Sequence, residues 1–338
     1  MRIPRNAAAG LTLAALSLMA LGTATQSASA QTCGSNITQS TVLRTNIGPC
    51  SGNGLIIPAG VKNITLDLNG FTISGTRAAG SIGVDNQGVM VIIKGAGAIS
   101  NFETGVRMLQ QASNVAQRAT IENLRLVSNR IGIDIVGICC PNPEGANRIL
   151  RNRIESGEIG IRLVGTEHDR IAENRISNQT AYGMAVYQGH VTLVELNVVR
   201  ENGIGIYLDG YTGTSTVRHN DVSANRQDGI ASLPDRITIE GNILNRNGRD
   251  GLICAAQWPG ASETVNLIVN NIALENGRRG IGLGDYDGHT AGGVNLVTGN
   301  LARANGVADL FWDQTGPSNC WSGNNFGKSV PASLPLCQ

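Results

Sequence analysis

The chain has little of three things that usually reveal the class of a protein: aromatic residues, net charge and long apolar runs. Only 4% of its 338 residues are aromatic, and 26 basic residues nearly balance 25 acidic ones. Residues 1–30 contain two Arg and no acidic residue, so the remainder carries 24 basic and 25 acidic residues, a net charge of −1. This balance provides no basic field for nucleic acid. After residue 30 no apolar run is long enough to cross a bilayer, and no segment has the period of an amphipathic helix.

The first thirty residues predict export. Arg2 and Arg5 form a positive start, residues 7–21 are apolar, and residues 28–30 (Ala-Ser-Ala) match a cleavage site. A membrane anchor is the alternative, but the apolar run is short and rich in small residues. All seven Cys follow this segment, which suits an oxidising compartment. We therefore expect a secreted or periplasmic protein without a membrane span in the mature chain.

One Asn recurs at a regular interval through the chain, and its neighbours repeat with it. Two of the clearest copies are the segments Asn197-Val-Val-Arg-Glu-Asn202 and Asn242-Ile-Leu-Asn-Arg-Asn247. The recurring residues, separated by steps of 22, 23, 23, 22, 29 and 29, are Asn152, Asn174, Asn197, Asn220, Asn242, Asn271 and Asn300. A period of this length is typical of a solenoid, in which each repeat forms one coil.

Within each repeat the apolar residues alternate, as in Ile131-Gly-Ile133-Asp-Ile135. Period two indicates strands with one buried face, and Ile and Val favour strands. About 22 residues hold three short strands and three turns, so we predict an all-β chain that forms a single right-handed parallel β-helix. At its turn the recurring Asn tolerates a left-handed backbone, and stacked Asn residues can form an amide ladder. The Gly before each Ile permits a tight bend.

Residues 61–316 resemble the right-handed parallel β-helix repeat proteins of the pectate-lyase-like superfamily. The segment Asn63-Ile-Thr-Leu-Asp-Leu-Asn-Gly-Phe-Thr-Ile-Ser-Gly75 is similar to the first coil of its secreted bacterial branch. That superfamily includes pectate and alginate lyases, polygalacturonases, mannuronan epimerases, phage tailspikes and the periplasmic accessory protein of nitrous oxide reductase. The resemblance implies the fold, whereas the reaction must be argued from the site, because this fold hosts many chemistries.

Disulfides are predicted to close both ends of the solenoid. Cys33 and Cys50 bracket the N-terminal segment, and Cys320 and Cys337 bracket the C-terminal one. Open ends would expose unpaired strand edges, and solenoids need terminal caps. The expected organisation is a signal peptide at 1–30, an N-terminal cap at 31–60, the β-helix at 61–316 and a C-terminal capping loop at 317–338.

Three further cysteines complete the odd total of seven. Cys254 falls at an inward strand position, where we expect a buried thiol. Cys139 and Cys140 are adjacent in a loop, and a redox or metal role is the alternative to a structural one. An odd number leaves at least one thiol outside the intramolecular pairs; a monomer is nevertheless expected.

Three coils are about seven residues longer than the others, and the extra residues follow the same strand each time. They lie within residues 137–145, 255–263 and 285–293. Insertions on one face of a solenoid often mark its binding face. This edge also collects an unusual share of His and aromatic residues, namely His168, His190, His289, Tyr211, Trp258 and Tyr286.

The strand beside this edge presents outward rows, read by alternation from the buried Ile. One row contains Asp134, Arg162 and Tyr207, and the next contains Tyr187 and Asp209. Because adjacent coils lie about 4.8 Å apart, these five side chains are expected to form one exposed cluster. A surface ion pair is the alternative explanation of Asp134 and Arg162.

A groove with aromatic platforms suits a linear polysaccharide or a cell-surface glycan, because sugar rings stack on aromatic faces and polar neighbours bind the hydroxyl groups. The predicted substrate-binding residues are Tyr187, Tyr207, Asp209, Trp258, Asp285, Tyr286 and His289.

The reaction predicted first is β-elimination from an acidic polysaccharide, as in a lyase. A base removes the proton next to a uronate carboxylate, and His168, His190 or Tyr211 could take that role. Arg162 or Arg170 would neutralise the carboxylate by bidentate pairing.

In a variant of this reaction, calcium replaces Arg, with Asp209 and Asp235 as its ligands. Two alternative functions remain open. The first is a glycoside hydrolase that uses the same two carboxylates, and the second is a glycan- or surface-binding β-helix without a reaction. The catalytic motifs of polygalacturonases and mannuronan epimerases are absent, and no His- or Met-rich cluster suggests copper.

Overall fold

Short strands wind around a common axis in three sheets, and each strand pairs with its equivalents one coil before and after. The structure is a computed structural model. It describes residues 31–110, 118–137, 146–210, 212–233, 236–256, 265–316 and 318–338. The predicted signal peptide and the pair Cys139–Cys140 lie outside these residues. Every pairing between named strands is parallel, so the predicted right-handed parallel β-helix is confirmed.

Sheet A has thirteen strands and carries the Gly-Ile segments. In chain order its strands are β1 (Ser35–Asn36), β4 (Leu55–Ile57), β7 (Ile82–Asn86), β10 (Thr104–Leu109), β13 (Ile131–Val136), β16 (Ile159–Val164), β19 (Tyr182–Tyr187), β22 (Ile204–Leu208), β24 (Ile230–Ser232), β26 (Leu252–Cys254), β29 (Arg279–Leu283), β32 (Ala308–Trp312) and β35 (Ser329–Val330).

Sheet B follows sheet A in each coil and has twelve strands. These are β2 (Thr41–Val42), β5 (Thr65–Asp67), β8 (Ile92–Lys94), β11 (Thr120–Glu122), β14 (Arg148–Leu150), β17 (Arg170–Ala172), β20 (Leu193–Glu195), β23 (Thr216–Arg218), β25 (Thr238–Glu240), β27 (Val265–Val269), β30 (Val294–Thr298) and β33 (Cys320–Ser322).

Sheet C closes the coil in two sections, which single bridges at Asp221 and Ile243 connect. Its strands are β3 (Ile47–Cys50), β6 (Thr72–Gly75), β9 (Ala98–Ser100), β12 (Arg125–Val127), β15 (Arg153–Glu155), β18 (Arg175–Ser177), β21 (Val198–Arg200), β28 (Ile272–Leu274), β31 (Leu301–Arg303) and β34 (Asn325–Phe326). Along the described residues there is no helix, and hence none long and apolar enough to cross a membrane.

Both ends carry the predicted disulfides, Cys33–Cys50 and Cys320–Cys337. Strands are also present in both segments that the sequence assigned to caps: β1–β4 in the first and β33–β35 in the second. Cys254 is buried, as expected, and its Sγ lies 3.8 Å from both Asn266 Nδ2 and Asn295 Oδ1.

The recurring Asn residues form the predicted amide ladder. Asn174 Nδ2 donates to Asn197 Oδ1 at 3.0 Å, and the same bond repeats from Asn152 to Asn324. A second ladder runs from Asn202 to Asn305 at the next turn. The ladder Asn residues are buried, except Asn305 and Asn324 at the last positions, which are half-buried, and their side-chain amides are hydrogen-bonded. The ladders therefore fix the register of successive coils.

Two local details differ from the sequence expectation. The left-handed backbone falls one residue before the ladder Asn, for example at Glu173 (φ 61°) and Glu201 (φ 60°). The Gly of each Gly-Ile pair is needed for close approach between coils. A Cβ at Gly160 would lie 2.5 Å from the carbonyl oxygen of Gly183 on the next coil. Only a residue without a side chain therefore fits there.

Candidate functional site

The outer face of sheet A carries the predicted outward rows in register. The pairing of β7 through β32 aligns one row in the order Asp85, Arg107, Asp134, Arg162, Ala185, Tyr207, Ala231, Ile253, Gly282 and Phe311. The first four positions are charged and the last six are apolar or aromatic. The face therefore has two chemically different halves.

In the charged half the side chains form bidentate ion pairs. Arg162 donates from Nε and Nη2 to the two carboxylate oxygens of Asp134, at 2.8 and 2.7 Å. Arg107 binds Asp85 in the same way, at 3.0 and 2.9 Å. The Asp134 side chain is 6% exposed and that of Arg162 32%. The hydrogen bonds that the Arg162 guanidinium donates to Asp134 raise the pKa of that guanidinium, so this Arg stays charged and held in place.

Three tyrosine rings meet where the charged half ends. The Tyr207 ring centroid lies 5.3 Å from that of Tyr182 and 5.8 Å from that of Tyr187. All three side chains are half-buried. Burial is the main cause that raises the pKa of Tyr207 to about 12, and it also raises the pKa of Tyr187. These phenols are therefore protonated at neutral pH and present flat rings with hydroxyl groups.

Asp209 follows β22 beside the tyrosines, as predicted. Its Oδ1 accepts hydrogen bonds from the Gln188 backbone N–H and the Thr212 hydroxyl, both at 3.0 Å. The carboxylate is thus fixed at the edge of the tyrosine cluster by the neighbouring coil.

The face also holds two buried carboxylates that the sequence analysis missed, Asp228 and Asp250. They occupy the position directly before the Gly of each sheet A segment, which holds Ile131, Ile159 and Ile204 in earlier coils. The repeat contained a signal for these residues, because the outward position before the Gly is apolar at Ile204, acidic in the next two coils and basic at Arg279.

Asp228 and Asp250 are stacked on successive coils and fully buried. The backbone N–H of Asp250 donates to Asp228 Oδ1 at 3.1 Å, and that of Arg279 donates to Asp250 Oδ1 at 3.0 Å. Among the described residues, the Oδ2 atoms of both carboxylates have no hydrogen-bond partner. Burial raises the pKa of Asp228 and raises the pKa of Asp250 to about 6.

Part of the third insertion, residues 285–290, folds back over this half of the face as a hairpin. Tyr286 and His289 form an antiparallel bridge, and the exposed Asp285 carboxylate pairs with Arg278 at 2.8 Å and with Arg279. The Tyr286 ring is buried, 5.7 Å below the Arg249 guanidinium. Of the three predicted substrate-binding residues in the hairpin, Asp285 and Tyr286 therefore contact the outer face of sheet A, and His289 forms the bridge with Tyr286.

The remaining predicted residues lie away from this face. His168 and His190 are neighbours at the edge between sheets A and B, where the His168 N–H donates to the His190 carbonyl at 2.9 Å. Arg170 lies on sheet B and binds Glu195 at 2.7 Å, which also binds Arg218. The structure does not bring Arg170 to the tyrosine cluster.

Three predicted site residues lie outside the described residues: Tyr211, Asp235 and Trp258. The calcium and hydrolase alternatives both depend on Asp235, so that part of each prediction also lies outside the described residues.

A separate cavity of about 640 Å³ lies at the edge between sheets C and A, near Arg77 and Phe102. Three of its charged residues pair with one another, since Arg130 binds Glu103 at 2.9 Å and Glu158 at 3.2 Å, and Arg77 Nε donates to the Ser128 carbonyl at 3.0 Å. The tyrosines, the buried carboxylates and the insertion all lie on sheet A instead, so the candidate site is placed there.

The sequence matches the model of a family described as NosD, periplasmic copper-binding protein, over residues 33–214 and again over 103–279. The chain belongs to the NosD family. Like the family, this NosD protein is secreted or periplasmic, as its first thirty residues predicted. Among curated proteins, none matches the sequence.

Several solved structures share the fold of this NosD protein. The periplasmic alginate epimerase AlgG is 14% identical with a TM-score of 0.52, and the match covers 81% of this chain and 76% of AlgG. The A-module of mannuronan C-5 epimerase AlgE4 from Azotobacter vinelandii is 14% identical with a TM-score of 0.51, over 90% and 89% of the two chains. The Dettilon tailspike protein is 16% identical with a TM-score of 0.52, over 87% and 60%. At these identities the likeness establishes the β-helix fold.

The described residues of this NosD protein do not fit copper. Among them, no group of three or more His, Cys, Asp or Glu side chains could hold a metal ion. His168 and His190 are backbone neighbours, but in the described part of the chain no third His or Cys joins them in such a group, although copper favours imidazole and sulfur ligands. No step of the function proposed below therefore involves copper.

Proposed function

We propose that this protein is an exported β-helix that binds a polysaccharide along the outer face of sheet A. The observation that carries the proposal is the contact of the Tyr207 ring on β22 with the rings of Tyr182 and Tyr187, which stand at the two ends of the adjacent strand β19. The three rings therefore form one aromatic patch across two neighbouring coils, which lie about 4.8 Å apart. Aromatic side chains with a polar tip suit a surface that meets both the faces and the hydroxyl groups of sugars.

The structural neighbours support this ligand class. AlgG and the AlgE4 module are named as epimerases of alginate and mannuronan, which are polysaccharides. Their reaction is not transferred, because identity is 14% and the sequence lacks their catalytic motif.

The charges on the face favour recognition of hydroxyl groups. In its described part, the arginines pair with carboxylates of the chain itself, as in Arg107–Asp85, Arg162–Asp134 and Arg278–Asp285. A uronate carboxylate would have to compete with these internal partners. Binding therefore ranks before cleavage of an acidic polymer.

Eliminative cleavage, the reaction predicted first from the sequence, is the second candidate. The observation that favours it is the proximity of Tyr187 to Arg162, whose positive charge opposes the rise in the pKa of the Tyr187 phenol. A cation beside a proton-transfer group is what elimination next to a carboxylate requires. His168 and His190 remain the proposed alternative bases.

The test is titration calorimetry with alginate, polygalacturonate and laminarin on the mature protein. At least one polymer should bind, and Tyr207→Ala should weaken that binding about tenfold through lost stacking. Phe326→Ala removes an exposed aromatic side chain on sheet C and is the matched control. Absence of binding to all three, or an unchanged affinity of Tyr207→Ala, would contradict the proposal.

The same tubes test cleavage. New ultraviolet absorbance from unsaturated uronate ends would establish elimination, and new reducing ends without that absorbance would establish hydrolysis. Binding without either product leaves the first proposal standing and removes the second.

A further inference from the structure

The hairpin of residues 285–290 lies on the direct continuation of the tyrosine surface. Its Tyr286 side chain packs on outward side chains of the next coils and is 4% exposed. Ala231 and Ile253 stand in the row of Tyr207, and Leu233 and Ala255 in the row of Asp209. Ile204, from β22, belongs to the same cluster. A tyrosine ring of the chain thus occupies an apolar strip beside rings that are still accessible.

Polar atoms beneath this half of the face lack hydrogen-bond partners. Asp228 Oδ2, Asp250 Oδ2 and Arg279 Nε are all buried without one, as far as the described residues show. Leaving buried polar atoms unsatisfied is unfavourable, and the fold does not require it, because Ile204 fills the equivalent position one coil earlier. The hydroxyl groups of a sugar can donate to the two carboxylate oxygens and accept from the N–H, so these atoms suit a sugar ligand.

The hairpin is held by the buried Tyr286 ring, by the bridge between Thr290 and Ala256 and by the Asp285 carboxylate. That carboxylate is exposed and binds Arg278, which is partly exposed, and Arg279, which is buried. Most of the apolar contact comes from the Tyr286 ring. A sugar ring that took the place of the Tyr286 ring on the apolar strip would replace those contacts, so a ligand could shift the hairpin to an open position.

We propose that residues 285–290 are a displaceable cover on a sugar subsite, and that Tyr286 occupies the place of a sugar ring. The subsite consists of the apolar strip of Ala231 and Ile253 with the carboxylates of Asp228 and Asp250 as hydroxyl acceptors. This inference rests on the polysaccharide binding proposed above and extends the same surface by two coils. The polymer displaces the hairpin as it binds.

Two variants separate a cover from a binding platform. Asp285→Asn weakens the attachment to Arg278 and Arg279, and Tyr286→Ala removes the ring from the strip. If the hairpin is a cover, both variants bind alginate and laminarin hexasaccharides more tightly, by roughly three- to tenfold, because less of the protein is closed. The matched control is Glu275→Gln, which changes an exposed carboxylate that follows β28 on sheet C and should leave affinity unchanged.

Hydrogen exchange supplies a readout independent of affinity. The His289 amide donates to the Tyr286 carbonyl at 2.8 Å in the closed hairpin. A cover predicts faster exchange at this amide when saturating hexasaccharide is added, whereas a hairpin that closes onto the ligand predicts slower exchange.

The outcomes distinguish the two proposals. If Tyr207→Ala weakens binding while Asp285→Asn and Tyr286→Ala do not strengthen it, the surface stands and the cover is overturned. Weaker binding by Tyr286→Ala makes Tyr286 part of the platform, which also overturns the cover. If neither hexasaccharide binds the wild type or either hairpin variant, both proposals fail.

Discussion

The two halves of the outer face of sheet A have the same backbone and different side chains. In the N-terminal half, one row runs Asp85, Arg107, Asp134, Arg162. The same row continues over the C-terminal half with Ala185, Tyr207, Ala231 and Ile253. Since strand spacing and register do not change, the difference reflects the residues alone.

The buried carboxylates of the two halves differ in how completely they are hydrogen-bonded. Asp134 is buried, but two bonds from Arg162 satisfy it. Asp228 and Asp250 are buried with one oxygen each unsatisfied, and their nearest cations lie 3.6 Å or further away. A buried carboxylate whose two oxygens are both hydrogen-bonded by an arginine has a structural role. A buried carboxylate with an oxygen that accepts no hydrogen bond is instead a candidate for a functional site.

The largest expected effect is a loss of stability as pH rises, caused by the unmatched carboxylates. Burial raises the pKa of Asp250 to about 6, from 3.8. Asp169, directly before β17, is a further buried carboxylate whose Oδ2 has no hydrogen-bond partner among the described residues, and burial raises its pKa to about 6 as well. Their protonated forms favour the folded state, so this stability is fully present below about pH 4 and is lost as pH rises through 6. Each group contributes on the order of 3 kcal/mol. Urea denaturation should show Asp250→Asn removing roughly half of that decline.

The groups that face Asp250 are Arg249, Arg278, Arg279 and Asp228. Glu275→Gln, a change of an exposed carboxylate on sheet C, is the control and should leave the slope as it is. A slope in Asp250→Asn equal to that of the wild type would show that this carboxylate is not raised by burial.

The next effect concerns the matched half. Arg162→Met should lower the free energy of unfolding by about 2 kcal/mol, because it leaves the Asp134 carboxylate buried without its partner. The double variant Asp134→Leu with Arg162→Met should recover to within about 1 kcal/mol of the wild type, since this row carries apolar residues elsewhere. Urea denaturation measures both. A double variant as unstable as the single one would mean that the ion pair stabilises the fold in its own right, and that apolar residues cannot replace it.

The smallest effect sharpens the role of the tyrosines. Tyr207→Phe keeps the ring and removes the hydroxyl group, so it should lower polysaccharide affinity by less than about threefold. Titration calorimetry beside Tyr207→Ala gives the comparison. Equal losses in the two variants would assign recognition to the hydroxyl group instead of the ring.

The repeat carries most of the fold in the sequence. Period two in the Gly-Ile segments, the interval between ladder Asn residues and the terminal Cys pairs were sufficient for the β-helix, the amide ladder and both disulfides. These features depend on local spacing and on contacts between equivalent positions, which a repeat makes visible.

The candidate site was only partly predictable, for two physical reasons. Alternation slips by one residue at each Gly: Gly132 and Ile133 both face inward, and Ile131 packs with the outward Ala185. Strict alternation from the buried Ile therefore did not identify the outward position that Asp228 and Asp250 occupy. The path of residues 285–290 depends on Tyr286 and Asp285 meeting partners on other coils, and no period specifies that.

The amide ladders form the same hydrogen bonds between each pair of successive coils. Each Asn inside a ladder accepts two hydrogen bonds from the Asn one coil before it and donates two, from its backbone N–H and its Nδ2, to the Asn one coil after it. The ladder continues unbroken through steps of 22 and of 29 residues. Removing or duplicating one whole repeat would therefore leave matching ends at the junction. The length of the protein, and of any groove along it, can change by gene duplication in units of one coil while the backbone scaffold stays the same.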